Sequence, residues 1–128
     1  MSLDHPHART VYGSTTTTTE VDSGINIIPG QPKRVVTVVD AWIRSTGTAD
    51  TCTSIDITDG TTAAVAFGVT ALTDGTVVRA GAANTTATNL GVELLENTPI
   101  QIKTTGSAIG TATAIEWCAH YLVSSTAA

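Results

Sequence analysis

A chain of 128 residues is the length of one ordinary domain, which buries about two-thirds of its unfolded surface and holds a core without metals or a disulfide framework. Charged residues make up only 13%, about half the usual share, and the net charge of −5 includes just six Lys plus Arg, which form no cluster. That excludes the electrostatic footprint of a nucleic-acid binder, and no apolar run approaches the ~18 residues that cross a bilayer. Neither a nucleic-acid nor a membrane partner is expected.

The missing charges are replaced mostly by Thr, Ala, Gly and Val. Thr and Val are stiff at χ1 and fit a pleated, half-buried surface, so the composition itself favours β-structure. Met1-Ser2-Leu3-Asp4-His5-Pro6-His7 has no basic segment followed by an apolar stretch, so no secretory signal is expected and synthesis is expected in the cytoplasm. Cys52 and Cys118 lie far apart, outside any CxxC or metal spacing. Free thiols are expected in a reducing compartment.

Residues 1–24 stand apart in character. Val11-Tyr12-Gly13 leads into five consecutive Thr (Thr15 to Thr19), then Glu20-Val21-Asp22-Ser23-Gly24. A Thr run favours extended backbone without an alternating apolar face. The segment reads as an extended N-terminal arm lying along its own domain or a neighbouring subunit, with a terminal tail as the alternative.

Residues 25–128 read as a β-sandwich domain. Ile25-Asn26-Ile27 ends at the turn Ile28-Pro29-Gly30. Lys33 to Arg44 is the longest strand candidate. Its odd positions from Val35 to Ile43 form the more uniformly apolar face, while its even positions mix Val36 and Val38 with Asp40, Trp42 and Arg44. Thr51 to Thr58 alternates Thr53, Ile55 and Ile57 against Cys52, Ser54 and Asp56. Asp59-Gly60 and Asp74-Gly75 mark two turns of the same Thr-Asp-Gly kind, with Val65, Phe67 and Val69 alternating between them.

A short strand at Thr76 to Arg79 leads into the small-residue loop Ala80 to Asn84, where a helical turn is the most helix expected. Leu90, Val92 and Leu94 alternate before the turn Asn97-Thr98-Pro99, and Ile100 and Ile102 follow. The chain closes with a long strand, Ala112 to Val123, that sets Ile115, Trp117, Ala119, Tyr121 and Val123 against Glu116, Cys118 and His120. About eight strands with Gly and Pro punctuation and no helical periodicity predict an all-β fold, a two-sheet antiparallel sandwich or a barrel. In an eight-stranded jelly roll, Cys52 and Cys118 fall on opposite sheets and point outward by this alternation, beyond the roughly 4.4–6.8 Å Cα separation of a disulfide.

The inventory for catalysis is thin. His5 and His7 form an i, i+2 pair in the arm with no third metal ligand. His120, Cys118 and Glu116 share a strand face, but same-face neighbours sit about 7 Å apart, which favours a polar interface stripe over a site. No G-x-S-x-G elbow or phosphate-binding glycine loop occurs. Asp59 and Asp74 are turn formers, and Asp50, Asp56 and Asp59 lack a known Ca²⁺ spacing. No enzyme, metal, cofactor or small-molecule substrate is therefore expected.

What remains is surface. Low charge, a mean hydropathy of +0.19 and strands apolar on both faces point to buried intersubunit area. Trp42, between Asp40 and Arg44, is the leading anchor, because Trp and Arg dominate interface hot spots. Tyr12 and His120 complete the interface candidates. The alternative places Trp42 in the core, with the alternation slipped by a bulge.

The stretch from Arg34 to Val123 resembles small β-domains of tailed-bacteriophage structural proteins. The resemblance lies in Val35 to Ile43 with its Asp40-Ala41-Trp42, in Thr51 to Ile57 ending at Thr58-Asp59-Gly60, in Glu96 to Ile102 before a Thr-Gly loop, and in Gly110 to Glu116 with Tyr121 on the last strand. In size and character the chain is most similar to capsid decoration (cement) proteins of jelly-roll type. The resemblance implies a homotrimer without a cofactor, bound to the major capsid protein on the outside of the virion head. Its role would be to stabilise the shell against internal DNA pressure. The competing readings are a tail-fibre or receptor-binding β-domain, a lectin-like carbohydrate-binding module, and a small hydrolase dependent on His120.

Overall fold

The computed structural model describes residues 7–126. The chain forms β1 (His7–Thr15), a short helix α1 (Thr19–Ser23), β2 (Ile25–Ile28), β3 (Arg34–Thr46), β4 (Ser54–Thr58), β5 (Ala63–Gly68), β6 (Val77–Arg79), β7 (Thr85–Thr86), β8 (Ile100–Thr105) and β9 (Ala114–Ser125). Two antiparallel sheets result, one ordered β1-β9-β3-β6 and the other β2-β8-β4-β5-β7. Setting aside the two-residue β7, the first strand pairs with the last, the second with the second-last, the third with β6 and the fourth with β5. That nesting is a long hairpin rolled onto itself, which is the jelly-roll order.

The inner faces interlock through side chains from both sheets. Ile43, Ile115 and Ala119 of one sheet meet Ile55, Ile57, Val65, Phe67, Ile100 and Ile102 of the other, all at 0% exposure. Each such aliphatic or Phe side chain contributes about 1.5–3 kcal/mol by leaving water. Trp117 lies in the same core and Tyr121 packs against it, as the alternation along the last strand predicts.

The alternation along β3 is where the expected core face changes. A bulge between Val38 and Asp40 shifts the register against β9. Val36 and Val38 point inward before it, and Ala41, Ile43 and Ser45 after it, while Val39 at the bulge is exposed. One extra residue reverses the parity of everything beyond it. The bulge lies ahead of Trp42, so Trp42 keeps to the outer face.

Residues 7–23 are joined to the sandwich. β1 pairs with β9 over nine consecutive positions, from His7↔Val123 to Thr15↔Ile115. The described part of the segment read as an arm thus supplies an edge strand of the first sheet, and residues 1–6 lie outside the described residues. The Thr run does not stay extended to its end. Thr19 opens α1, which buries Val21 completely and closes at Gly24, where φ is +97°. Asp22 then anchors the helix, its Oδ1 accepting hydrogen bonds from Thr104 Oγ1 (3.1 Å) and the Ile109 N–H (3.0 Å).

At most a helical turn was expected, at Ala80–Asn84, and that stretch makes turns; the helix that forms is α1, where one buried Val and one well-placed Asp outweigh the local propensity of Thr. Leu90 to Leu95 also departs from expectation. It is irregular, held along β3 by Gly91 N–H to Val38 O (2.9 Å), Leu94 N–H to Val36 O (2.8 Å) and a single bridge at Glu93. It covers the length of β3 that the short β6 leaves unpaired. Leu94 turns into the core while Val92 and Leu95 stay exposed, which a strand continuing the 90, 92, 94 alternation does not require.

Candidate interaction face

The outer face of the β1-β9-β3-β6 sheet is built from three consecutive rows of cross-strand neighbours. Thr10, His120 and Asp40 form one row, Tyr12, Cys118, Trp42 and Arg79 the next, and Ser14, Glu116, Arg44 and Val77 the third. All five residues singled out from the sequence (Trp42, Asp40, Arg44, Tyr12 and His120) therefore stand on one surface. Their assembly depends on β1, whose pairing with β9 brings Tyr12 within reach of a tryptophan 30 positions later in the chain.

At the centre, the Tyr12 and Trp42 rings lie 6.0 Å apart, tilted by 57°. That is aromatic contact at a favourable separation. Tyr12 is 59% exposed, the most exposed large hydrophobic side chain among the described residues, and Val77 at the margin is 51% exposed. Polar groups frame the pair. Tyr12 donates its phenolic O–H to Glu116 Oε2, and this bond, with desolvation and the Glu116 charge, raises its pKa above the ordinary value. Arg44 pairs with Glu116 at 3.6 Å and donates from Nε to Gly75 O at 3.3 Å. Arg79 pairs with Asp40 at 3.7 Å. Two acids are thus matched to two arginines, leaving a charge-balanced surface on a chain whose net charge is −5.

The chain matches no protein-family model, no curated protein and no solved structure. The chemistry of this face rests on its own residues.

Cys118 and His120 come closer than their spacing along the strand indicates, with Sγ 4.0 Å from Nε2. The other ring nitrogen, Nδ1, lies 2.9 Å from Thr10 Oγ1. Glu116 does not join them, because Tyr12 and Arg44 engage it. Burial pushes the Cys118 thiol up, as does the Asp40 charge, with Arg79 pulling the other way. A thiol held protonated makes a weak nucleophile.

Cys52 corrects an expectation. It is 3% exposed and lies in the core cluster, not on an outward face, because the chain enters β4 only at Ser54 and the strand parity does not reach it. Both cysteines are free thiols, as expected. The three acids weighed for Ca²⁺ separate: Asp50 binds the Thr111 backbone and hydroxyl, Asp59 its own turn, and Asp56 Ser54. Among the described residues no group of three His, Cys, Asp or Glu side chains is placed to hold a metal. His5 lies outside the described residues, and His7 enters only as the first backbone position of β1.

Proposed function

We propose that this protein is a virion structural component that binds the outside of a bacteriophage capsid as a homotrimer and stabilises the shell, without catalytic activity. The observation that carries the reading is the Tyr12–Trp42 pair set inside a charge-balanced frame on the outer sheet face. An aromatic centre with a polar rim is the anatomy of a protein–protein interface. The jelly-roll sandwich and the resemblance to decoration proteins agree with this use.

The partner is the major capsid protein, and the mechanism is multivalent. Three modest contacts tied together in one trimer gain about 10²–10⁴ in avidity over a single contact. Light scattering across a wide concentration range tests the assembly. A stable species at three times 13.1 kDa, which co-sediments with expanded capsids, is the expected result. A monomer at every concentration that leaves capsids unbound would overturn the proposal.

A further inference from the structure

The end of β2, the start of β3 and the end of β9 meet at one end of the sandwich, and a cavity of about 80 Å³ opens there on the inner side of β1. Its walls are apolar. Ile28 and Val36 are buried, and Tyr121 and Val123 pack against the core. Backbone bonds fix the rim, from Arg34 N–H to Gln31 O (3.2 Å) and from Asn97 N–H to Arg34 O (3.3 Å). Gly30 lies so close to the next turn that a Cβ there would come 2.8 Å from the Asn97 carbonyl carbon. The cavity is therefore built into the fold.

Two hydrogen-bond donors line it side by side. Arg9 and Tyr121 stand directly opposite each other on β1 and β9. Arg9 shares a strand face with Val11, which packs against the core, so it lies on the side of β1 away from Tyr12. Neither the Arg9 guanidinium nor the Tyr121 O–H has a partner among the described residues, and no acidic side chain among them lines the cavity. Arg44 and Arg79, by contrast, each meet an acid. Arg34 brings a second guanidinium to the rim.

We propose that this cavity binds a carboxylate carried on a compact aliphatic group, with the carboxylate accepting from Arg9 and Tyr121 and the aliphatic group entering between Ile28, Val36 and Val123. Each part of the ligand answers an observation. A carboxylate only accepts hydrogen bonds and matches a guanidinium with both oxygens. A cationic amine is repelled by two arginines, and inorganic phosphate gains nothing from apolar walls. Size excludes a long acyl chain, because the cavity is about half the ~150 Å³ that takes up benzene. A free short acid and the carboxyl-terminal residue of a polypeptide share this chemistry. The site is on the other side of β1 from the Tyr12–Trp42 face and stands or falls separately from capsid binding.

The test is an amide ¹H–¹⁵N titration of the full chain with 4-methylpentanoate, N-acetyl-L-leucine and N-acetyl-L-leucinamide, each to about 50 mM, well above a millimolar Kd. At least one of the two acids is expected to give saturable shifts, confined to the surroundings of Arg9, Ile28 to Arg34, Thr98 and Tyr121 to Val123. Binding of 4-methylpentanoate alone assigns the site to a free acid, and binding of N-acetyl-L-leucine at least as well assigns it to a polypeptide end. Arg9→Gln is expected to weaken binding about tenfold or more, since a hydrogen bond between charged groups is lost. Tyr121→Phe, which keeps the packed ring, is expected to weaken it about threefold to tenfold. Tyr12→Ala is expected to leave the shifts unchanged. Absence of saturable shifts with both acids, shifts centred elsewhere, equal binding of the leucinamide, or full binding by Arg9→Gln would each overturn the proposal.

Discussion

Gly13 and Trp117 face each other across β1 and β9, and a Cβ added to Gly13 would lie 2.6 Å from Trp117 Cζ2. The indole passes beneath β1 at the one position where that strand carries no side chain. Its Nε1–H is buried with no hydrogen-bond partner among the described residues, so the ring is held by packing alone. Gly13 is thus a steric requirement for docking β1, and β1 in turn supplies Tyr12 to the outer face. Gly13→Ala is expected to cost about 1–3 kcal/mol, as overpacking does, and to loosen β1 first. Urea denaturation measures the cost, and amide exchange along Ala8 to Thr15 locates it.

The interaction face predicts a separation of binding from stability. Tyr12 is exposed but carries the Trp42 contact, so Tyr12→Ala is expected to cost about 0.5–1.5 kcal/mol of folding stability and leave the fold intact. Combined with Trp42→Ala, it is expected to weaken trimerisation or capsid attachment by about 2 kcal/mol or more, the scale of a hot spot. Light scattering and capsid co-sedimentation read the binding, and circular dichroism reads the fold.

Asp59 predicts acid sensitivity. Burial alone would raise its pKa, but N–H donors from Thr62 (2.6 Å), Leu95 (3.0 Å) and Thr61 (2.8 Å) together outweigh burial and hold it below the ordinary value. A depressed carboxylate adds stability that is present above its unfolded pKa, about 3.9, and lost as pH falls through the lower native value. Asp59→Asn turns a donor toward the Leu95 N–H and is expected to cost about 2–3 kcal/mol at neutral pH. That deficit should shrink as wild type is acidified, in denaturant titrations at about pH 2, 4 and 7.

Asp56 predicts the opposite slope. Desolvation raises its pKa, against the lowering effect of the Ser54 hydrogen bond. The native state therefore holds its proton more tightly than the unfolded chain, and stability falls as pH rises from the ordinary carboxylate value through the raised one. Relative to wild type, Asp56→Asn is expected to gain stability across that interval. A difference independent of pH would contradict the raised value.

Both cysteines are buried, and desolvation is the leading cause that lifts each thiol pKa. Neither is expected to react with a disulfide reagent such as 5,5′-dithiobis(2-nitrobenzoate) in the native protein. Two equivalents are expected to react once guanidinium unfolds it. Rapid native labelling at one equivalent would identify a cysteine that opens locally.

The sequence by itself determined the fold class. Val and Thr alternating between Asp-Gly and Asn-Thr-Pro turns leave no helical stripe to bury, and the parity of Ile115, Trp117 and Ala119 predicted the core side of the last strand correctly. It also supplied the five face residues as types suited to an interface. Tertiary structure decided the rest. The Val39 bulge reversed the inward face of the first half of β3, because a two-residue period carries no sign of an inserted residue until a partner strand sets the register. Val21 and Asp22 made a helix where Thr favoured extension, through contacts with β8 and Ile109 that lie about 80 positions away. Cys52 turned inward ahead of its strand. The Tyr12–Trp42 pair exists because the first strand closes onto the last, and the same pairing sets Arg9 opposite Tyr121. Local composition sets what each segment prefers, but long-range strand pairing determines which side chains meet.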